Sequence, residues 1–128
     1  MTPKQQMLLG VGAASKTYMD DLFSTHLYEG TGSNRTITNN IDVAGEGGLV
    51  WIKSRGNTEP HLLFDTERGV HKYLRANESD AETNLTASLT AFNNNGFNVS
   101  TANRINQDNI DFASWTFLKK PGFLDIVT

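Results

Sequence analysis

The residues of this 128-residue chain best suited to moving protons near neutral pH are three histidines, His26, His61 and His71. Each stands inside a strand-like run, and none has a second base or ligand at a spacing that implies a site. They read as structural side chains. Asp65 and Glu67 flank Thr66 in the run Asp65-Thr66-Glu67-Arg68-Gly69, but a glycosidase pair needs its carboxylates roughly 5 to 9.5 Å apart across a cleft. Here they share a turn, with Asp65 expected to cap it and Arg68 to pair with a neighbouring carboxylate. Ser, His and Asp are plentiful, yet no serine carries the Gly-x-Ser-x-Gly pattern of a nucleophile elbow. No catalytic residue is expected.

Binding chemistry is equally restricted. The loop Ala44-Gly45-Glu46-Gly47-Gly48 is dense in glycine but lacks the Lys-Ser/Thr ending of a phosphate cradle, so it reads as a turn. The stretch from Ala76 to Asn84 carries Glu78, Asp80 and Glu82, but without the glycine that lets a calcium loop turn sharply it reads as a solvated acidic loop. Neither a metal nor a cofactor is expected. The chain has no cysteine, which removes disulfides, thiolate zinc sites and cysteine nucleophiles. Its 11 basic and 14 acidic residues give a net charge of −3 with no basic stripe, so nucleic acid is not an expected partner. No apolar run approaches the ~20 residues that span a bilayer, and the start lacks a signal-peptide pattern, so membrane insertion is not expected either. Asn-x-Ser/Thr acceptors at Asn34, Asn77, Asn84 and Asn98 matter only in a secretory pathway.

Aromatic residues leave one binding possibility. Trp51, Trp115, Tyr28 and Tyr73 could form a platform on which sugar rings stack, with Tyr28 and Tyr73 the glycan-binding candidates. Tryptophans on the central strands of a β-sandwich more often fill the core. On that reading Trp51→Ala should cost about 3 to 5 kcal/mol.

The elements that must position these residues are strands. Gly47-Gly48-Leu49-Val50-Trp51-Ile52-Lys53-Ser54 has the composition of a strand buried on both faces, and Leu62-Leu63-Phe64 returns beside it. Period-two runs predict further strands at Leu22 to Tyr28, Arg35 to Thr38, Val70 to Arg75, Phe97 to Ser100 and Ile110 to Leu118, the first two forming a hairpin. In the Ile110 to Leu118 run, Phe112, Ser114, Thr116 and Leu118 share one face, and Ala113, Trp115 and Phe117 the other. Asn93-Asn94-Asn95-Gly96 is a hairpin turn, because Asn and Gly tolerate positive φ. Leu85 to Phe92 fits a helical turn or an edge strand. Lys119-Lys120-Pro121-Gly122 ends the long strand, and Phe123 to Thr128 opens another. Thr2-Pro3 can start a short helix with Met7, Leu8 and Val11 on one face, although Gly10 and Gly12 weaken it. The expected architecture is all-β, an antiparallel β-sandwich over residues 21–128 preceded by an N-terminal arm or short helix over residues 1–20, and the last strand suggests the front part of a longer chain.

Several strings occur in order: Gly45-Glu46-Gly47-Gly48-Leu49-Val50-Trp51-Ile52-Lys53-Ser54-Arg55, Leu63-Phe64-Asp65-Thr66-Glu67-Arg68-Gly69-Val70, Lys72-Tyr73-Leu74, Leu89-Thr90-Ala91-Phe92, Asn95-Gly96-Phe97, Ser114-Trp115-Thr116-Phe117 and Pro121-Gly122-Phe123. Together they resemble a module of tail-fibre and other virion structural proteins of tailed bacteriophages, notably marine ones, over about residues 17–128. In that family another module commonly follows, beginning with a strand like Phe123 to Thr128. The resemblance implies a jelly-roll-like β-sandwich without enzymatic activity, located in the virion tail as a fibre or fibre adaptor. Its implied partners are other virion tail proteins and further copies of the chain, with a trimer favoured. A host surface glycan is the alternative ligand. The assembly interface is expected at Met7, Leu8 and Val11, an apolar face that nothing else in the chain is obviously reserved to cover.

Overall fold

The computed structural model describes residues 19–76, 79 and 81–127. The expected arm with Met7, Leu8 and Val11 lies outside the described residues. A short helix α1 (Met19–Leu22) leads into β1 (Phe23–Glu29), β2 (Arg35–Thr38), a helical turn α2 (Val43–Glu46), and β3 (Gly48–Ser54). Then come β4 (Leu62–Asp65), β5 (Lys72–Arg75), β6 (Thr83–Asn84), β7 (Leu89–Asn93), β8 (Gly96–Val99), a second turn of helix α3 (Asn103–Asn106) and β9 (Asp111–Leu118).

These strands make two antiparallel sheets. One has six strands in the order β1-β9-β3-β4-β5-β6, and the other three in the order β2-β8-β7. The chain is an all-β sandwich, with its core where the inner faces meet. From the large sheet Tyr28, Val50, Ile52, Leu62, Phe64, Tyr73 and Phe112 point inward, and Ile37, Leu89, Phe97 and Val99 answer from the small one. A second cluster of Leu22, Ile41, Val43 and Leu118 plugs one end. Alternation along β3 puts Val50, Ile52 and Ser54 inside and leaves Leu49, Trp51 and Lys53 half-buried on the outer face. The central strand is thus fully buried on one face only.

β3 does lie between β9 and β4, paired Trp51 to Trp115 on one side and Trp51 to Leu63 on the other. Its glycine-dense approach is a helical turn closed by Asp42, whose carboxylate accepts from Gly45 N at 2.8 Å, and Gly48 already belongs to the strand. The turn after β4 is built as its residues demand. Asp65 Oδ1 accepts from Arg68 N at 2.7 Å, while Oδ2 meets Arg68 Nη1 at 2.7 Å and Arg68 Nε lies 3.0 Å from Glu82. The segment Leu85 to Phe92 resolves into a turn followed by β7, an edge strand whose pairing with β8 is bulged between Leu89 and Ala91.

Two expectations fail. β1 and β2 do not form a hairpin: β1 pairs with β9, whereas β2 crosses to the other sheet and pairs with β8. Period-two alternation states which side of a strand is buried, but not which strand lies beside it. Phe123 to Val127 forms no strand either; Leu124 N donates to Lys120 O at 3.0 Å in a turn, and Lys120 N to Leu124 O.

Buried polar side chains add to the apolar contact between the sheets. Asn106 is fully buried on α3, and its Nδ2 donates to Ser33 O at 2.7 Å and to Ser100 O at 2.9 Å. Its Oδ1 accepts from Thr31 N at 3.0 Å. The β1–β2 crossover, the end of β8 and the α3 turn are therefore clasped by one side chain. Asn39 works similarly at the far end of β2, donating from Nδ2 to Thr116 Oγ1 at 2.8 Å on the inner face of β9.

Candidate functional site

The outer face of the six-stranded sheet is where side chains of functional interest converge. Ladder register stacks them in rows across the sheet: Phe23, Phe117 and Leu49 in one, Thr25, Trp115, Trp51 and Leu63 in the next. Phe23 and Phe117 ring centroids are 4.8 Å apart, and those of Trp51 and Trp115 are 5.3 Å apart at 52°. The apolar side chains of these rows are half-buried, although a solvated sheet face would normally alternate to polar residues. This is a continuous apolar surface.

His61 closes one side of the tryptophan pair. Trp51 Nε1 donates to His61 Nδ1 at 3.0 Å, so that nitrogen must be unprotonated, and the rings sit 5.7 Å apart. Desolvation, with the Lys53 ammonium second, lowers the His61 pKa below its ordinary value. Its folded state therefore binds a proton less readily than the unfolded chain. The stability this contributes is fully present above about pH 6.5 and is lost as pH falls below that value. Tryptophan fluorescence should accordingly change with a midpoint below about pH 6.5, and His61→Leu should abolish the transition. A midpoint at or above that value would contradict the Trp51–His61 bond.

The tyrosines expected to contact sugar are elsewhere. Tyr28 is 7% exposed and Tyr73 2%, both within the core. Tyr28 stacks on Phe112 with centroids 5.3 Å apart and donates its hydroxyl to Ile105 O at 2.7 Å, and burial pushes its pKa far up. Neither can meet a ligand without opening the sandwich, because each is on the inward parity of its strand. The tryptophans trade places with them. Since Trp51 lies half-buried on the outer face rather than in the core, Trp51→Ala should cost less than truncating a core tryptophan, about 2 kcal/mol in urea unfolding.

Other candidates stay apart. Asp65 is tied to Arg68 as described, and Glu67 reaches away to Lys119 at 2.7 Å, an exposed pair that raises the lysine pKa through their hydrogen bond. Among the described residues no group of three His, Asp or Glu side chains converges as a metal site would require. No helix among them is long and apolar enough to cross a membrane. Sequence reasoning missed Asn106 altogether, since nothing in the polar run Thr101 to Asn109 marks one asparagine as buried.

Fold and surface together define a small antiparallel β-sandwich whose outer sheet face carries rows of half-buried aromatic side chains. The chain belongs to the DUF7483 family, a domain of unknown function, whose model matches residues 19–123. No curated protein and no solved structure matches it.

Proposed function

We propose that this domain is a non-enzymatic structural part of a bacteriophage tail, a fibre or fibre adaptor, that works by packing against other tail proteins and further copies of itself. The observation that carries the assembly role is the outer sheet face, where Phe23, Leu49, Trp51, Leu63, Trp115 and Phe117 form one apolar surface across four strands. Contiguous apolar surface of this kind on a soluble domain marks a contact with another macromolecule. The tail location rests on the resemblance of the glycine approach to β3, the Asp65 to Gly69 turn and the Ser114 to Phe117 string to virion modules. Trp115→Glu places a charge in the middle of the face without touching the core. The variant should fold, by circular dichroism, and be missing from purified tail particles that contain the wild-type chain; normal incorporation would overturn the reading.

A second reading is favoured by the Trp51–Trp115 pair alone: a carbohydrate-binding module for host surface glycan, in which the two half-buried rings stack on sugar. A glycan array distinguishes them. Saturable binding lost in Trp115→Ala supports this reading, and silence together with particle incorporation supports the first.

A further inference from the structure

The two sheets present four edges among the described residues, and three of them are blunted in the ways natural sheets use against edge-to-edge pairing. β6 is two residues long, β7 is bulged, and β2 has only four residues with Arg35 at its start. β1 is different. It runs for seven residues, Phe23–Glu29, in unbroken register with β9, and contains no Lys, Arg, Pro or bulge.

Its hydrogen-bonding direction follows from its neighbours. Gly30 N donates to Ile110 O at 2.8 Å, Asn109 N to Gly30 O at 3.1 Å, and Ser114 Oγ to His26 O at 3.1 Å, so even-numbered residues turn their backbone groups toward β9. Backbone groups alternate along a strand, which leaves those of Phe23, Thr25, Leu27 and Glu29 at the open edge. The carbonyl of Glu29 is already taken by Arg35 Nη1 at 2.6 Å. Among the described residues, the template left open is therefore Phe23 to Leu27.

That template is self-complementary. If two copies run antiparallel with Thr25 on a two-fold axis, Phe23 of each faces Leu27 of the other on the outer surface, and no charged residue opposes a like charge within the paired segment. Leu27 is 58% exposed in the single chain and is the one strongly exposed large apolar side chain within a described strand. Pairing would cover it.

We propose that β1 is a homodimerisation edge, joining two copies through Thr25-centred antiparallel pairing into one continuous sheet. This gives the assembly reading a specific partner, a second copy, but stands on edge geometry and not on a tail location. An isologous contact closes at two copies, so a trimer would have to use another surface.

Sedimentation of the full chain over a concentration series tests it. The wild type should show a monomer–dimer equilibrium, and Thr25→Lys, which sets two ammonium groups opposite each other at the axis, should raise the dissociation constant at least about tenfold, which is ~1.4 kcal/mol. Its circular dichroism should be unchanged, since the Thr25 side chain is exposed. Thr101→Lys, an equal charge change at an exposed position on the turn after β8, should dimerise as the wild type does. A monomeric or trimeric wild type, a Thr25→Lys variant that still dimerises, or equal weakening by both lysines would overturn the proposal. Such a result would leave tail incorporation, measured separately with Trp115→Glu, untouched.

Discussion

Asn106→Asp is expected to destabilise the domain by about 4 kcal/mol at neutral pH, a large fraction of what holds a domain of this size folded. The substitution changes one atom and almost no volume. The carboxylate cannot donate, so the carbonyls of Ser33 and Ser100 lose the Nδ2 hydrogens that now satisfy them at 2.7 and 2.9 Å. It also sets a negative charge against two carbonyl dipoles at a fully buried position. Both effects favour the neutral acid in the folded state, raising the folded pKa above the unfolded value of about 3.9. Stability should then be least impaired below that value and fall as pH rises through the folded pKa. Urea unfolding of both proteins at pH 7 and at mildly acidic pH measures this. A deficit under about 1 kcal/mol, or one independent of pH, would mean that Asn106 does not clasp the crossover.

The second large effect is expected at Gly96. Replacement by alanine should cost about 3 kcal/mol in the same assay. Gly96 begins β8, where Thr38 of β2 is its ladder partner. A methyl group there would run into the carbonyl of Ile37, with the Cα of Thr38 3.1 Å away. Both obstacles are backbone of a hydrogen-bonded neighbour, so neither can swing aside as a side chain would. The β2–β8 ladder must separate locally, and Ile37 and Phe97, both fully buried, would be displaced with it. A loss near zero would show that the two strands are not in this register.

Gly96 also shows how a sequence can give the right element for an incomplete reason. The Asn93-Asn94-Asn95-Gly96 run predicts a hairpin because its residues tolerate positive φ, and β7 and β8 do pair from Asn93 to Gly96. The stricter demand comes from β2, a strand nearly sixty residues earlier whose approach leaves no room for a side chain. Similarly, the Asp65 to Gly69 turn was legible down to its cap and ion pair, because the two contacts that make them, Arg68 N to Asp65 Oδ1 and Arg68 Nη1 to Asp65 Oδ2, both span only three residues. The Trp51–Trp115–His61 cluster was legible only in its members. Local pattern identified β3 and β9, which carry the two tryptophans, and β4, which His61 immediately precedes, and ladder register brought them together.

By itself the sequence determined that this is an all-β domain, where most of its strands run, and which residues of β9 share a face. Period-two alternation and turn chemistry act over a few residues, and those signals are written locally. Only the tertiary structure decided which sheet each strand joins, that Tyr28 and Tyr73 face the core while Trp51 and Trp115 face out, and that Asn106 is the buried clasp. β3, β9 and β1 carry large apolar residues on both parities, so alternation alone could not say which parity faces inward. That choice was made by packing against a second sheet, whose strands come from distant parts of the chain and whose position no local pattern encodes.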